Sequence, residues 1–353
     1  MAITGIRRLV FLVDDLTTTT RFFTDYGLSF IAGDATSSRF EVMNGAEVLL
    51  LLRGHPDLPQ GHAQTGIGVV ECVWSVDNAA ALKRLTDDLA RDHQLATDAE
   101  GVVHFVTPFG QAVALQHWTP RAVHGAPSPA NTPGLVGRLN QPRKWLARAT
   151  PKRIHHAVWT FPDVQEALEY YRDRLGFRIT DVQKGFGVYM RASAAFEHHN
   201  IFLANAQAPM PGFDGTLKFH HANFELEDID EIMVGKNHLD RLGYDFAGNW
   251  GLGRHRLTSA AFLYLNMPAL GGDMEYGADC DCVDDSWKPR VWDGAFGTAI
   301  FMHDLPQWMM PTPNWDVTYA RDEQLRFLPA DPKPANTTPA GVPATDIAAE
   351  AAE

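Results

Sequence analysis

The sequence is poor in the features that mark secreted, membrane-spanning and nucleic-acid-binding proteins. It has three cysteines in 353 residues, too few for a disulfide framework, which favours a reducing cytoplasm. No run of about 18 apolar residues occurs, so no membrane span is predicted. The net charge of −13 gives no support to binding of nucleic acid or of an anionic membrane surface. These absences lead us to expect a soluble, cytoplasmic protein with a small or neutral substrate.

The sequence does contain a repeated unit. Residues 5–30 and 153–179 both have the pattern of a strand, a capped helix, a glycine and a second strand. In the second copy Asp163 is placed to cap the helix and Gly176 to end it, because glycine tolerates the positive φ needed there. Two further copies follow, one in each half. The chain is therefore predicted to hold four βαβββ-type units in two pairs.

Composition divides the chain into four predicted parts. Residues 1–120 and 151–310 each hold one pair of units, and a connector rich in Pro, Gly, Asn and Arg joins them over 121–150. Residues 311–353 form a C-terminal extension. From about residue 329 this extension is rich in Pro, Ala and Thr and poor in large apolar residues, which predicts disorder. The fold class expected from this order of elements is α+β.

Two histidine doublets occur near the heads of equivalent strands, in the segments RIHHAVWTF and KFHHANFEL. Because side chains alternate between the faces of a strand, His156 and His221 are expected on one face, and His155 and His220 on the other. A single strand histidine is usually an ordinary packed residue. Two at matching positions of a repeat favour a shared site.

A carboxylate for the same site lies near the end of the fourth unit. Glu275 stands between Met274 and Tyr276 in a predicted strand, where an unpaired charge would be costly to bury. Two imidazoles and one carboxylate make the facial triad of non-haem Fe(II) oxygenases, which leaves positions open for substrate and O₂. The sequence therefore predicts a metal centre of His156, His221 and Glu275. These ligand types leave iron versus manganese open.

Five segments of the second half, taken in order, resemble the type I extradiol ring-cleaving dioxygenases, and most of all the 2,3-dihydroxybiphenyl 1,2-dioxygenases. They are HHAVWTFPD, FEHHNIFLA, FHHANFELED, GLGRHRLTSAAFLYLNMPALGGDMEYG and DDSWKPRVWDG. The resemblance covers roughly residues 5 to 310. It implies the vicinal oxygen chelate fold, in which four such repeats curl mixed sheets into two half-open barrels. It also implies Fe²⁺-dependent cleavage of a substituted catechol next to the diol, with insertion of both atoms of O₂.

The resemblance also implies roles for single residues. The three predicted metal ligands would bind Fe²⁺, with Mn²⁺ as the alternative. His199 would serve proton transfer beside the O₂ site, and His255 with Tyr264 would hold the substrate hydroxyl that loses its proton. An aromatic, apolar pocket is expected around them, for which the candidates are Phe186, Met190, Phe202, Trp250 and Trp292.

The first half lacks this constellation. Arg8 stands where the second half has His156, and Val70 or Glu71 stands where it has His221. We therefore expect a metal-free copy that supports the other half and contributes to contacts between subunits, since members of the family are often multimeric.

Two other functions remain open for such a fold. One is a lyase or isomerase that uses another divalent metal, and the other is a non-catalytic protein that binds small molecules. His199, His255 and Tyr264 argue against the first, because those reactions do not call for these groups around the metal. The complete triad argues against the second. The expected partners are a catechol and O₂, without nucleic acid or membrane.

Overall fold

The computed structural model describes residues 3–210, 212–246, 250–306, 309–310 and 315–331. Within them the first pair of units comprises β1 (Ile3–Val13), α1 (Leu16–Tyr26), β2 (Ser29–Gly33), β3 (Ser37–Glu41), β4 (Glu47–Leu52), β5 (Gly68–Val76), α2 (Ala79–Leu89), β6 (Ala96–Thr97), β7 (Val103–Val106) and β8 (Ala112–His117). The second pair comprises β9 (Arg153–Phe161), α3 (Val164–Asp173), β10 (Arg178–Gln183), β11 (Gly187–Arg191), β12 (Ile201–Asn205), β13 (Lys218–Glu225), α4 (Ile229–Arg241), β14 (Gly253–Arg254), β15 (Ala261–Met267) and β16 (Gly272–Ala278). These are the four βαβββ-type units that the sequence predicts.

Short elements follow the fourth unit. They are β17 (Arg290–Trp292), α5 (Gly294–Thr298), β18 (Phe301–Met302) and β19 (Val317–Tyr319), together with 3-10 turns at Pro268–Leu270, inside the fourth unit, and Asp322–Gln324. Most of the predicted disordered tail, residues 332–353, lies outside the described residues. None of the helices in the described ranges is both long enough and apolar enough to cross a membrane.

Each of the four long helices begins at a side chain that accepts backbone N–H groups of the first turn. Asp15, Asp163 and Asp228 cap α1, α3 and α4 in this way. The sequence pattern also predicts an acidic cap for α2, and this is wrong, because Asn78 caps α2 by accepting from the Ala81 amide. Gly27 ends α1 with φ at 110°, where an added Cβ would lie 2.3 Å from the Ala149 carbonyl oxygen.

The strands form two mixed, open sheets with the same internal plan. The first has the order β2-β3-β4-β1-β5-β8-β7-β6, and the second β18-β14-β15-β16-β13-β9-β12-β11-β10-β17-β19. In each sheet the first strands of the two units, β1 with β5 and β9 with β13, pair antiparallel at the centre. Each of these strands also pairs in parallel with the last strand of its own unit. The α+β class with half-open sheets is therefore confirmed.

The two halves share one core. Tyr276 of β16 stacks on Tyr26 of α1 with ring centroids 4.2 Å apart, and its hydroxyl donates to the Tyr26 carbonyl at 2.6 Å. The Trp159 indole of β9 donates to Gln64 of the first half at 3.0 Å. Because side chains alternate along β16, burying Met274 and Tyr276 against the core turns Glu275 toward the inner face of its own sheet.

Candidate metal centre and active site

Both histidine doublets lie on β-bulges. Across β9 and β13, Phe219 pairs with Trp159 and His221 with Val158, so His220 is the extra residue on its strand. Further along, Asn223 pairs with His156 and Phe224 with Ile154, which makes His155 the extra residue on the other strand. A bulge sets two residues against one and breaks the alternation of side chains.

The bulges change where the first histidine of each doublet lies. The Nδ1 atoms of His155 and His156 are 2.8 Å apart, and those of His220 and His221 are 2.6 Å apart. His220 lines the same cavity as His221. The prediction that His155 and His220 point away from their neighbours, which assumes regular strands, is therefore wrong. Each instead offers a hydrogen-bond partner to the histidine that follows it.

The same bulges occur in the first half and give the equivalent positions there. The extra residues between β1 and β5 are Thr4, Arg7 and Val70, of which Arg7 and Val70 correspond to His155 and His220. Arg8 therefore corresponds to His156, and Glu71 rather than Val70 corresponds to His221. The strand registers place Ala114 where the second half has Glu275. The three positions of the predicted metal site thus carry arginine, glutamate and alanine in the first half, a set that does not provide three ligands.

In the second half the three predicted ligands converge. The Nε2 atoms of His156 and His221 are 3.3 Å apart and lie 3.3 and 3.4 Å from Oε2 of Glu275. All three side chains are buried, and Glu275 Oε2 has no hydrogen-bond partner among the described residues. Atoms spaced in this way surround a point about 2 Å from each, which matches divalent metal bonds to nitrogen and oxygen of about 2.0–2.2 Å. The donor set therefore fits a divalent cation.

The protonation state of His221 also suits a metal. Burial, reinforced by the neighbouring His220 and His156, lowers the pKa of His221 well below the usual value of histidine. The neutral imidazole is the form that binds metal ions. The Nδ1 atoms of both candidate ligands face the Nδ1 of the preceding histidine, so Nε2 is the nitrogen directed to the site.

The other predicted polar residues surround this centre. The His199 ring lies 4.2 Å from the His156 ring, and burial lowers its pKa well below the ordinary value. His255 donates from Nδ1 to the Thr298 carbonyl at 2.7 Å, and its Nε2 lies 3.3 Å from the Tyr264 hydroxyl. Burial, with the nearby Glu275 charge, raises the pKa of Tyr264 well above the usual value, so this phenol stays protonated.

A cavity of about 90 Å³ opens beside these groups. Three of the predicted pocket residues, Phe186, Phe202 and Trp250, line it. Met190 and Trp292 do not contribute to its wall. Met190 is fully buried in the core, and the Trp292 indole donates to the buried Asp181 of β10.

Sequence reasoning missed several residues of the wall, namely Gln183, Tyr189, Met210, Phe213, His220 and Leu257. Strand alternation could have found Tyr189, because it stands between Val188 and Met190, both of which enter the core. Met210 and Phe213 come from the loop between β12 and β13, for which the sequence carries no periodic signal.

Comparison with known proteins agrees with this structure. Residues 153–262 match the family model described as the Glyoxalase/Bleomycin resistance protein/Dioxygenase superfamily. The chain is 32% identical over 215 residues to Metapyrocatechase 2 of Cupriavidus necator. The aligned region covers 60% of this chain and 63% of that protein, so the match spans less than two thirds of the relative's length. It is 26% identical over 275 residues to the biphenyl-2,3-diol 1,2-dioxygenase of Metapseudomonas furukawaii, covering 74% of this chain and 78% of the relative.

Among solved structures, the Mn(II)-bound glyoxalase from Novosphingobium aromaticivorans superposes with a TM-score of 0.66 at 20% identity, over 92% of this chain and 98% of that one. This likeness extends over both halves and confirms the predicted vicinal oxygen chelate fold. The family model thus matches the part of the chain that includes β9 and β13, the strands that carry His156 and His221.

Proposed function

We propose that the protein is a metal-dependent extradiol dioxygenase that cleaves a catechol next to its diol and inserts both atoms of O₂. The observation that carries the proposal is the convergence of His156, His221 and Glu275 on one point, beside a cavity that the two histidines line. The two sequence relatives, a metapyrocatechase and a biphenyl-2,3-diol 1,2-dioxygenase, support it. We propose Fe²⁺ as the metal, because two imidazoles and one carboxylate are the ligand set of non-haem Fe(II) oxygenases, with Mn²⁺ as the alternative.

When bound, the cation would supply Lewis-acid polarisation of the catechol hydroxyls and a template for bringing the substrate and O₂ together. The chain's own residues would provide the proton transfers. Because the Thr298 carbonyl can only accept, the Nδ1 of His255 carries the hydrogen and its Nε2 keeps a lone pair. That lone pair is directed toward Tyr264 and the cavity, where it can accept the proton of a substrate hydroxyl.

Tyr264 would orient the same hydroxyl. Its phenol stays protonated and its ring contacts the His221 ring with centroids 5.1 Å apart, so the hydroxyl lies beside the metal ligands. The aromatic wall would exclude water from the reacting atoms and stack on the substrate ring. Tyr189 and Phe202 already stack on each other with ring centroids 4.1 Å apart, which presents a flat apolar surface to the cavity.

A direct assay tests the proposed activity. Protein loaded with Fe²⁺ under anaerobic conditions and mixed with catechol, methylcatechols and 2,3-dihydroxybiphenyl in air should form a yellow ring-fission product. It should consume one O₂ for each catechol cleaved. Stoichiometric iron without O₂ uptake on any of these compounds would contradict the proposal and favour the lyase or isomerase alternative.

The charge of the cavity wall predicts which catechols are accepted. No lysine or arginine is found among the described residues that line it. A carboxylate substituent would therefore be buried without a cationic partner, at a cost of several kcal/mol. We expect kcat/KM for 3,4-dihydroxybenzoate to be at least about 100-fold lower than for its methyl ester, a difference of about 2.7 kcal/mol.

The methyl ester is the matched control for this comparison, since it keeps the ring and the substituent position and removes only the charge. Equal kcat/KM for the acid and the ester would show that a cation reaches the substituent and would refute this account of the cavity.

A further inference from the structure

A buried chain of three polar side chains leads from the cavity into the interior of the second half. His199 lines the cavity, and its Nδ1 lies 3.3 Å from Nδ1 of His198. The other nitrogen of His198, Nε2, lies 3.2 Å from Oδ2 of Asp181. Asp181 and His198 are fully buried, and His199 is 4% exposed. Neither His198 nor Asp181 reaches the three candidate metal ligands through a hydrogen bond described here.

The surroundings of Asp181 fix the direction of its hydrogen bonds. Its Oδ1 accepts from the Arg290 amide at 2.6 Å, and its Oδ2 accepts from the Trp292 indole at 3.0 Å. Backbone and indole N–H groups can only donate, so both oxygens of Asp181 act as acceptors. The Oδ2 atom that accepts from the indole accepts from His198 in the same way. The Nε2 of His198 therefore carries the hydrogen and donates to Asp181.

The direction of the His198–Asp181 hydrogen bond also determines the direction of the bond between His198 and His199. In its Nε2–H tautomer His198 presents a lone pair at Nδ1, so the hydrogen between the two rings belongs to Nδ1 of His199. The Nε2 of His199 is then left with a lone pair for the cavity that this ring lines. We infer that Asp181 and His198 are positioning residues that fix the tautomer of His199, so that its Nε2 faces the substrate as a hydrogen-bond acceptor.

Packing holds the chain in place. The Trp287 ring lies edge-on to His198 at 5.6 Å, and the Tyr189 ring lies perpendicular to His199 at 5.0 Å. Trp287 and Trp292 both come from the segment DDSWKPRVWDG, in which β17 pairs with β10. Residues of this segment therefore contact His198 and Asp181, the two buried members of the hydrogen-bonded series, although Trp292 is not part of the cavity wall.

The proposed function gives this arrangement its use, because an acceptor beside the metal site can receive a proton from a bound catechol. The tautomer itself is open to measurement without turnover. Full-length protein labelled with ¹⁵N-histidine and loaded with diamagnetic Zn²⁺ should give the Nδ1–H form of His199 by NMR. In Asp181→Asn an amide that turns its NH₂ group toward His198 gives up the bond from the Trp292 indole and donates to Nε2 of His198, which reverses both bonds along the two rings, and His199 should then appear as the Nε2–H form.

Kinetics give a second readout. The Asp181→Asn enzyme loaded with Fe²⁺ should lose about 10–100-fold in kcat, as partner residues of this kind commonly do. Its iron content should be that of the wild type and its KM should change by less than about twofold. Glu71→Gln is the matched control. It removes the charge of another buried carboxylate paired with a histidine, His104 at 2.9 Å, in the half without the metal site, and should leave kcat unchanged.

An Nε2–H form of His199 in the wild type, or wild-type kcat in Asp181→Asn, would overturn the inference. The wild-type spectrum decides the matter even if the variant does not fold. The Nδ1–H form in a protein that cleaves no catechol would uphold the tautomer and contradict the proposed function alone.

Discussion

Replacement of His221 by alanine is expected to abolish both metal binding and ring cleavage. The variant keeps only two of the three converging side chains, His156 and Glu275, whose donor atoms are 3.3 Å apart. A cation at this point would therefore lose one of its three protein ligands. We expect affinity for Fe²⁺ to fall by more than about 100-fold, since loss of a residue that only supports a ligand commonly costs about 10–100-fold. Metal analysis after gel filtration measures the loss directly.

His220→Ala is the graded comparison, because His220 is the adjacent residue on the same bulge and touches His221 through Nδ1 at 2.6 Å. It removes a ring of the same kind without removing one of the three converging donors. This variant should retain stoichiometric iron after gel filtration, with affinity reduced by about 10–100-fold. If both variants kept iron equally well, or if His220→Ala lost it and His221→Ala did not, the assignment of ligands would be wrong.

Glu47→Ala is expected to destabilise the first half strongly. The Glu47 carboxylate lies 2.8 Å from Arg7 and 2.7 Å from Arg8, and all three side chains are less than a tenth exposed. Burial raises the pKa of Glu47, but the hydrogen bond from Arg39 and the charge of Arg8 outweigh it and leave the pKa lowered. Removing the carboxylate leaves two buried guanidinium groups without this partner, so the free energy of unfolding should fall by about 3–5 kcal/mol in urea denaturation.

Glu100→Ala provides the control for this prediction. Glu100 also pairs with Arg8 and Arg39, at 2.6 and 2.8 Å, but its side chain is 44% exposed. Ion pairs at the surface contribute at most about 1 kcal/mol, so Glu100→Ala should lower the free energy of unfolding by no more than about this amount. If both variants lost a similar amount of free energy of unfolding, burial would not determine how strongly these ion pairs stabilise the first half.

The repeat and the convergence of His156, His221 and Glu275 could be predicted from the sequence because both depend on local patterns. Helix caps, strand alternation and the position of each doublet within its unit are enough to bring His156 and His221 to matching places. Glu275 follows from the same reasoning, since an acidic residue between two core positions of a strand must face the opposite side.

The bulges could not be predicted, and they account for the main error. An extra residue in a strand leaves no mark in the order of apolar and polar residues, so regular alternation placed His155 and His220 on the wrong side. The same irregularity left Val70 and Glu71 undecided in the first half. Asp181 was missed for a different reason. Its role depends on contacts with residues more than 100 positions away, such as Arg290, and no local pattern reports such contacts.

The stacking of Tyr276 on Tyr26 has a consequence for any attempt to shorten the protein. The strand that presents Glu275 has its other face against a helix of the half that lacks the metal site. Excising that half would uncover the aromatic surface around Tyr276 and remove the packing partner of the strand that carries Glu275. A minimal catalytic fragment would therefore need a substitute for this packing partner, and simple truncation at the connector should give an aggregating product with poor metal retention.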